Sequence, residues 1–249
     1  GDIKVFNSKV VIIATGGFGQ IYKTNTSSSI CTGDGNACIL RAGLPLKDME
    51  FIQFHPTGIY QNGFLITEAA RSEGAYLING LGDRFMSNYA PKYLDLAARD
   101  IIARAMHKEI LEGRGAGKNK DHLLLCFDNI DSDRIKKKLP NICELANKFL
   151  RIDPAKEPIP VVPSVHYTMG GISVNKDCYV LDHKGKVLNG LMAIGEAACV
   201  SIHGANRLGC NSLLEIIVFG KLARINANKT IKNGDCLLYT SPSPRDKTV

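Results

Sequence analysis

Two short apolar runs, one near each end of the chain, both stop at glycine. Residues 9–14 are rich in β-branched side chains and lead into the sequence TGG, and residues 191–194 lead into GE. A continuous apolar run of this length, bounded by glycine, is typical of a buried strand in a parallel sheet. We therefore predict that both runs are strands of one α/β domain.

Several further segments carry the apolar spacing of helices. The predicted helices are residues 36–42, 68–77, 95–112, 134–150 with an interruption at Pro140, and 212–231, and residues 123–127 are predicted to be a strand. A proline-rich return follows between residues 154 and 163. Because this block separates the two strand–glycine units, we predict that it is an inserted α+β domain.

The predicted architecture is thus an α/β fold in which one domain is split by another. We place the split domain at residues 1–50 and 164–235, and the inserted domain at residues 51–163. Residues 236–249 lack periodicity and are expected to be a disordered or artefactual tail. Since the chain opens on Gly1 without an initiator methionine, we expect an internal piece of a longer protein.

Composition and charge narrow the possible functions only slightly. Hydrophobic residues make up 45% and charged residues 22%, as in ordinary soluble globular proteins. The net charge is +7, and the lysine run at residues 136–138 is predicted to be a solvated helix face rather than a nucleic-acid site. The eight cysteines form no Cys-x-x-Cys pair, so no metal site is predicted, and Cys126 and Cys199 are expected to be buried thiols.

Five separated polar clusters carry the candidate chemistry. Each places His, Arg, Thr or Glu beside small or turn-forming residues. The clusters are residues 53–58 (QFHPTG), Thr67-Glu68 with Arg71, Arg99-Asp100, His166-Tyr167 and residues 203–207 (HGANR).

Most of these clusters also have a local structural explanation. Thr67, Glu68 and Arg71 fit a helix start, with a cap, a first-turn acid and an i+3 partner. His55 precedes a proline and so lies in extended backbone, where a structural hydrogen bond is common. Arg207 has no comparable local explanation.

Together, the clusters contain what a small dicarboxylate requires. Two histidines, a threonine hydroxyl and an arginine can donate hydrogen bonds to both carboxylates. A buried dianion needs such a set, because an unpaired buried charge is costly. The clusters therefore predict a dicarboxylate site.

In their order and amino-acid sequence, the clusters resemble the flavoprotein subunit of succinate dehydrogenase and fumarate reductase over residues 10–231. The motifs that carry the resemblance are ATGG at 14–17, TGDG at 32–35, QFHPTG at 53–58, TEAAR at 67–71, RF-x3-YAP at 84–91, ARD at 98–100, EPIPVVP-x-VHYTMGG at 157–171, GE at 195–196 and HGANRLG-x-NSL at 203–213. Each motif is modest by itself, and the ordered series is specific.

The resemblance implies roles for seven residues at the substrate. The implied carboxylate-binding residues are His55, Thr67, His166 and Arg207. Arg99 is the implied group that exchanges a proton with the substrate carbon, and Glu68 and Arg71 are its implied proton relay. Because these residues fall in both predicted domains, we expect the active site to close where the domains meet.

The resemblance also implies FAD as cofactor, held by a split Rossmann-like domain with the inserted domain as a cap. The implied FAD-binding residues are Ala14, Thr15, Gly16, Gly17, Asp34, Glu196, Ser212 and Leu213. Asp34 could instead cap the helix that follows it. The family's G-x-G-x-x-G loop and its covalent flavin attachment site are expected in a missing amino-terminal part, so we expect this chain by itself to bind FAD poorly.

The implied reaction is the oxidation of succinate to fumarate, or the reverse, with a hydride passing to flavin. The implied partners are an iron–sulfur subunit, which passes electrons on to quinone, and membrane anchor subunits, with no nucleic acid. The implied location is peripheral, on the cytoplasmic side of a bacterial inner membrane or on the mitochondrial matrix side. No stretch of 18 apolar residues is present in the sequence.

Two alternatives stay open from the sequence. L-aspartate oxidase shares most of the motifs, and residues 64–69 (FLITEA) resemble that enzyme more closely. Residues 112–115 (EGRG), 120–123 (KDHL) and 199–203 (CVSIH) favour the succinate dehydrogenase side. An inactive truncated module is the other alternative.

Overall fold

A computed structural model describes residues 4–232, and within this range the chain divides into two compact units. The first unit contains residues up to Ile21, Ser29–Ile52 and residues from Thr168 onward, and the second contains Tyr22–Ser28 and Gln53–Tyr167. Tyr22–Ser28 and residues 164–167 thus lie in the second unit, whereas the predicted boundaries assign them to the split domain. The predicted tail at residues 236–249 lies outside the described residues.

The elements alternate between short strands and helices. The strands are β1 (Val11–Ile13), β2 (Leu46–Lys47), β3 (Ile52–Ile59), β4 (Tyr76–Ile78), β5 (Leu123–Cys126), β6 (Ile159–Thr168), β7 (Gly171–Ser173), β8 (Tyr179–Leu181), β9 (Val187–Ala193) and β10 (Ala198–Cys199). The α-helices are α1 (Asp34–Arg41), α2 (Ala69–Ser72), α3 (Met86–Tyr89), α4 (Arg99–Leu111), α5 (Ser132–Lys138), α6 (Pro140–Leu150) and α7 (Asn211–Lys232), with 3-10 turns at Gly19–Ile21, Leu94–Leu96 and Gly195–Ala197.

The first unit contains two three-stranded sheets, in the orders β1–β9–β8 and β10–β7–β2. Strands β1 and β9 pair in parallel with Val11 opposite Leu191, so the two apolar runs of the sequence are neighbours. Ile12 at the centre of β1 is 39% exposed, so this strand is less buried than its composition predicts. Helix α7 contributes Ala223 and Ala227 to a small apolar cluster around Met192.

The second unit is built on one four-stranded sheet in the order β3–β6–β5–β4. Leu125 faces Leu77 of β4, and Leu123 faces Val161 of β6, and all four side chains are fully buried. Helix α4 contributes Ile102 and Met106 to the same cluster, since residues four apart lie on one face of a helix. This sheet and helix therefore enclose a single continuous core.

The predicted helix at residues 68–77 is wrong beyond its first turn. Helix α2 covers only Ala69–Ser72, and Gly74 then takes a φ of 117°, a conformation that side chains rarely adopt. Strand β4 follows, where Leu77 pairs with Leu125. Sheet pairing thus overrides the helical spacing of the apolar residues in this segment.

The other predicted helices and strands are present, with shifts of a few residues at their ends. Pro140 separates α5 from α6 and lies in the first turn of α6, where its missing N–H is tolerated. Residues 136–138 are exposed on α5, in agreement with a solvated lysine face. Cys126 and Cys199 are buried as predicted, and burial raises the pKa of Cys126 to about 11. Of the helices within residues 4–232, none is both long and apolar enough to cross a lipid bilayer.

Candidate active site

Two histidines lie side by side in the second unit because they occupy neighbouring strands of its sheet. His55 on β3 is fully buried, His166 on β6 is half-buried, and their ring centroids are 5.2 Å apart in an edge-to-face arrangement. The backbone N–H of Thr57 donates to Nδ1 of His55 at 3.3 Å. Because a backbone N–H can only donate, Nδ1 of His55 is an acceptor and the ring proton lies on Nε2.

Arg99 and Glu68 form the strongest ion pair of the predicted substrate residues. Arg99 is the first residue of α4, and its Nε and Nη2 donate to Oε2 of Glu68 at 3.0 and 2.8 Å. Its Nη1 donates to Oε1 of Gln53 at 3.4 Å. The Arg99 side chain is only 13% exposed, so the guanidinium is held in one place rather than solvated.

Arg71 lies on the other side of Glu68 and is almost completely buried. Its Nη2 lies 3.7 Å from Oε1 of Glu68, and its Nη1 donates to the backbone carbonyl of Asp95 at 2.5 Å. Burial lowers the pKa of Arg71, with the nearby Glu68 and Asp95 acting in the opposite direction. Glu68 thus bridges two guanidinium groups, and the three residues predicted as a relay are in contact.

The remaining predicted residue of this unit, Thr67, lies immediately before the relay. It is exposed, and its hydroxyl accepts a 3.4 Å hydrogen bond from the N–H of Ala69. The predicted cap at Thr67 is wrong, because the N-cap position of α2 is Glu68 and no side chain caps this helix. The Thr67 hydroxyl hydrogen can still be donated to a ligand. The second unit contains six of the seven predicted substrate-site residues.

The seventh, Arg207, belongs to the first unit. It is 4% exposed, and its Nη1 donates to the carbonyl of Leu208 at 3.1 Å. Its neighbour in the same motif, His203, pairs with Glu215 of α7 at 2.7 Å. The HGANR segment is therefore tied to helix α7.

The glycine turn after β1 contacts Glu196 and Thr168 in the first unit. The N–H and hydroxyl of Thr168 donate to Oε1 of Glu196 at 2.8 and 3.2 Å, and burial raises the pKa of this carboxyl. A Cβ placed on Gly17 would lie 2.4 Å from the Thr168 hydroxyl oxygen and 2.6 Å from Oε1 of Glu196. Any larger residue here would require the side chains of Thr168 and Glu196 to shift.

The other predicted cofactor residues differ in exposure. Ala14, Thr15, Asp34 and Leu213 are exposed, whereas Gly16 and Ser212 are half-buried. Asp34 does not cap α1, because the N-cap position is Gly33 and no side chain caps this helix. The Asp34 carboxylate instead accepts a 2.8 Å hydrogen bond from the hydroxyl of Thr32.

The residues of the first unit fit a flavin dinucleotide. Thr15 and Asp34 present polar groups at its surface, and the 22-residue helix α7 presents its amino-terminal N–H groups near Ser212. Oδ1 of Asn36 is buried and has no hydrogen-bond partner within the described residues, so a ligand hydroxyl or N–H would satisfy it. Residues 4–232 contain no group of three His, Cys, Asp or Glu side chains suited to a metal ion.

Several contact residues were not predicted. Thr57 lies within the QFHPTG motif, so its position was available from the sequence. The backbone carbonyl of Asp95 accepts a hydrogen bond from Arg71, which no side-chain pattern can indicate. Thr26 contacts His166 from 140 residues away along the chain, and Thr168 contacts Glu196 across 28 residues.

Comparison with known proteins identifies the family of the chain. The profile of the FAD binding domain family matches residues 1–213. The succinate dehydrogenase flavoprotein subunit of Rickettsia bellii is 54% identical over 236 residues, which are 93% of this chain and 40% of the relative. The mitochondrial succinate dehydrogenase [ubiquinone] flavoprotein subunit of Oryza sativa subsp. japonica is 51% identical over 253 residues, covering 100% of this chain and 40% of the relative.

A solved structure of quinol fumarate reductase from Escherichia coli has a TM-score of 0.84 and 40% identity, and the match covers 90% of this chain and 40% of that chain. The chain belongs to the FAD binding domain family, and its resemblance to the flavoprotein subunits of succinate dehydrogenase and fumarate reductase is confirmed. Membership of this family indicates FAD as the cofactor. The chain spans about 40% of the length of the curated relatives described above.

Proposed function

We propose that this chain carries the dicarboxylate site and part of the FAD site of a succinate dehydrogenase or fumarate reductase flavoprotein. The observation that carries the proposal is the Arg99–Glu68–Arg71 array, in which one carboxylate bridges two largely buried guanidinium groups. Isolated buried cations are costly, so such an array is expected where charge must be held for chemistry. The reaction is succinate oxidation to fumarate or its reverse.

The two histidines orient the substrate. A carboxylate accepts hydrogen bonds and cannot donate them, so each imidazole must present an N–H to it. The Nε2 proton of His55, which follows from the Thr57 contact, meets this requirement. Thr67 supplies a hydroxyl in the same unit, and the resemblance adds Arg207 as a fourth carboxylate-binding residue.

Arg99 exchanges the proton at the reacting carbon. FAD, when bound, supplies the acceptor for the hydride that leaves the neighbouring carbon during succinate oxidation. In succinate oxidation Arg99 first passes one of its own protons to Glu68, and the transiently neutral guanidine then takes the substrate proton and regains its charge. Glu68 releases its proton along the relay to which Arg71 belongs, and fumarate reduction uses the same groups in reverse. The lowered pKa of Arg71 supports this role, because a guanidinium that holds its proton less tightly is better suited to a relay.

The first unit is proposed to be the FAD-binding, Rossmann-like part, and the second unit the capping domain. The proposal rests on the parallel β1–β9 pair, the glycine turn against Glu196 and the family match. The proposed cofactor contacts are Ala14, Thr15, Gly16, Gly17, Asp34, Glu196, Ser212 and Leu213.

The proposed electron partner is an iron–sulfur subunit, which would pass electrons on to quinone, with membrane anchor subunits beyond it. This proposal is supported by the relatives, which are named as subunits of dehydrogenases and a quinol fumarate reductase. The proposed location is peripheral, at the cytoplasmic side of a bacterial membrane or the matrix side of a mitochondrial one.

Replacement of Arg99 tests the mechanism. In the full gene product with its flavin and partners, Arg99→Lys should lower kcat for succinate by about 10²–10⁴-fold, as expected for loss of a general acid–base group. Lysine cannot donate twice to Glu68 with the same geometry. Flavin content, measured by absorbance, should be unchanged.

Arg104→Lys is the matched control. Arg104 lies on the same helix, is 72% exposed and pairs with Asp100 at 2.7 Å. Its replacement should leave kcat within about twofold of the unmodified enzyme, as expected for a surface ion pair. Near-normal turnover of Arg99→Lys would remove the proposed role of Arg99.

L-aspartate oxidation, the alternative suggested by the FLITEA segment, is not favoured by the relatives, which are named as succinate dehydrogenase flavoprotein subunits and a quinol fumarate reductase. Turnover of the full gene product on succinate and on L-aspartate separates the two. Faster turnover on aspartate would replace the proposed substrate, while leaving the assignment of Arg99 intact.

A further inference from the structure

A short segment of the chain leaves the first unit and joins the second beside His166. Thr26 donates its backbone N–H to the carbonyl of Val165 at 2.8 Å, and Val165 donates its N–H to the carbonyl of Thr24 at 3.0 Å. The segment therefore pairs with β6 at the residue immediately before His166.

The segment is held firmly on its other sides as well. Asn25 donates through Nδ2 to the carbonyl of Tyr22 at 2.8 Å and accepts the N–H of Ser27 at 3.1 Å. A Cβ on Gly63 would lie 2.1 Å from the carbonyl oxygen of Asn25, so only glycine allows this close approach. The position of Thr26 is thus fixed by backbone contacts on both flanks.

This pairing brings the hydroxyl of Thr26 to 2.8 Å from Nδ1 of His166. Either group can be the donor, depending on which ring nitrogen carries the proton. A competing acceptor for this hydroxyl is the carbonyl of Val165 at 3.5 Å, which is the long limit of a hydrogen bond. Nδ1 of His166 is therefore the better partner for the hydroxyl hydrogen.

The neighbouring histidine shows the same arrangement with a different donor. At His55 the N–H of Thr57 fixes Nδ1 as an acceptor and leaves the proton on Nε2. If the Thr26 hydroxyl donates to His166, both rings have the same tautomer, and both can donate Nε2–H to a carboxylate without becoming charged. Second partners of this kind commonly set the tautomer and orientation of a functional histidine.

We propose that Thr26 is a positioning residue, whose hydroxyl donates to Nδ1 of His166 and so holds this ring as an Nε2–H donor toward a dicarboxylate carboxylate. The inference rests on the proposed function, because the ligand of His166 is the substrate proposed above. Thr26 itself does not touch the substrate in this scheme.

The test uses three variants of the full gene product, with flavin and partner subunits in place. Thr26→Val removes the hydroxyl at nearly constant shape, Thr26→Ser retains it, and Thr24→Val is the control in the same paired segment. KM and kcat for succinate are measured, together with the inhibition constant of malonate, a dicarboxylate that reports binding without reaction. Flavin absorbance and the melting temperature monitor folding.

Thr26→Val should raise KM and the malonate inhibition constant about tenfold, because His166 would no longer be held to donate Nε2–H to the carboxylate. Tenfold is the order expected for one such charge-assisted hydrogen bond. Its kcat should stay within about twofold, because binding to ground state and transition state is lost equally. Thr26→Ser should restore both constants to within about threefold, and Thr24→Val should match the unmodified enzyme.

Three results overturn the inference. They are unchanged constants in Thr26→Val, equal losses in the Val and Ser variants, and a fall in kcat that parallels loss of flavin. An unmodified enzyme that does not turn over succinate overturns the proposed function and this inference with it. An active enzyme with an unaffected Thr26→Val variant overturns the inference alone.

Discussion

The two units differ in how they bury their apolar side chains. Within residues 4–232, the second unit has one continuous cluster of 21 buried apolar residues, whereas the first has two clusters of six and four. Helix α7 in the first unit also exposes a run of large apolar side chains that are 48–66% accessible, namely Leu213, Leu214, Ile216, Ile217 and Val218.

The two units are therefore stabilised in different ways. The second unit holds His55 and His166 on a sheet that belongs to its continuous apolar core, so changes in this core should be costly. The first unit depends more on glycine turns and on side-chain contacts such as Thr168 with Glu196. Because these side chains of α7 are exposed in this chain, substitutions there should cost little stability. A helix that is apolar on several sides is nevertheless typical of one that is buried on several sides.

The largest expected effect is in the core of the second unit. Phe127 is 1% exposed, and Phe127→Ala should lower the free energy of unfolding by about 3–5 kcal/mol through lost burial and a cavity. Ile217→Ala, at a residue that is 66% exposed in the first unit, should change it by no more than about 0.5 kcal/mol. Urea unfolding followed by circular dichroism measures both, and equal effects would abolish the contrast between the units.

A buried polar network of the second unit should give the next largest effect. Glu109 is 2% exposed and accepts hydrogen bonds from Arg114, Asn79 and Tyr89, and the Arg114 guanidinium lowers the pKa of Glu109 to about 2. A carboxyl with a depressed pKa stabilises the fold above its unfolded pKa of about 4.5. This stability is lost as the pH falls from about 4.5 to about 2.

Glu109→Gln should therefore cost about 1.5–3 kcal/mol at neutral pH, the usual value of hydrogen bonds to a charged group, and flatten the acid limb of the stability curve. Glu112→Gln is the control, since Glu112 also contacts Arg114 but is 43% exposed. It should cost no more than about 1 kcal/mol. An unchanged acid limb in Glu109→Gln would show that other carboxyls govern acid unfolding.

The smallest expected effects concern two glycines of the first unit. Gly17→Ala would force a Cβ against Thr168 and Glu196, and should cost about 1–3 kcal/mol together with weaker flavin retention. A Cβ on Gly220 of helix α7 would enter open space among the described residues, and Gly220→Ala should stabilise the chain by about 0.5–1 kcal/mol. Thermal unfolding and flavin absorbance measure both, and a neutral Gly17→Ala would remove the proposed tight turn.

The sequence predicts elements and side-chain pairs correctly where they depend on residues close together in the chain. The long helix α7 and the strands β1 and β9 follow from apolar spacing, and the ion pair of Glu68 with Arg71 follows from their i,i+3 spacing in one motif. The sequence does not predict that Leu77 pairs in a sheet, because that depends on Leu125, 48 positions further along. It also does not predict Thr26 beside His166, because backbone pairing with Val165 brings them together.

The position of Arg99 at the first residue of α4 has one more consequence. The amino terminus of a 13-residue helix carries a partial positive charge from its aligned peptide dipoles, so a cation there is electrostatically disfavoured. The two hydrogen bonds that Arg99 donates to the Glu68 carboxylate offset this repulsion. Glu68 is thus also an electrostatic anchor, and without it the field of the helix would favour rotation of the Arg99 side chain away from the helix axis.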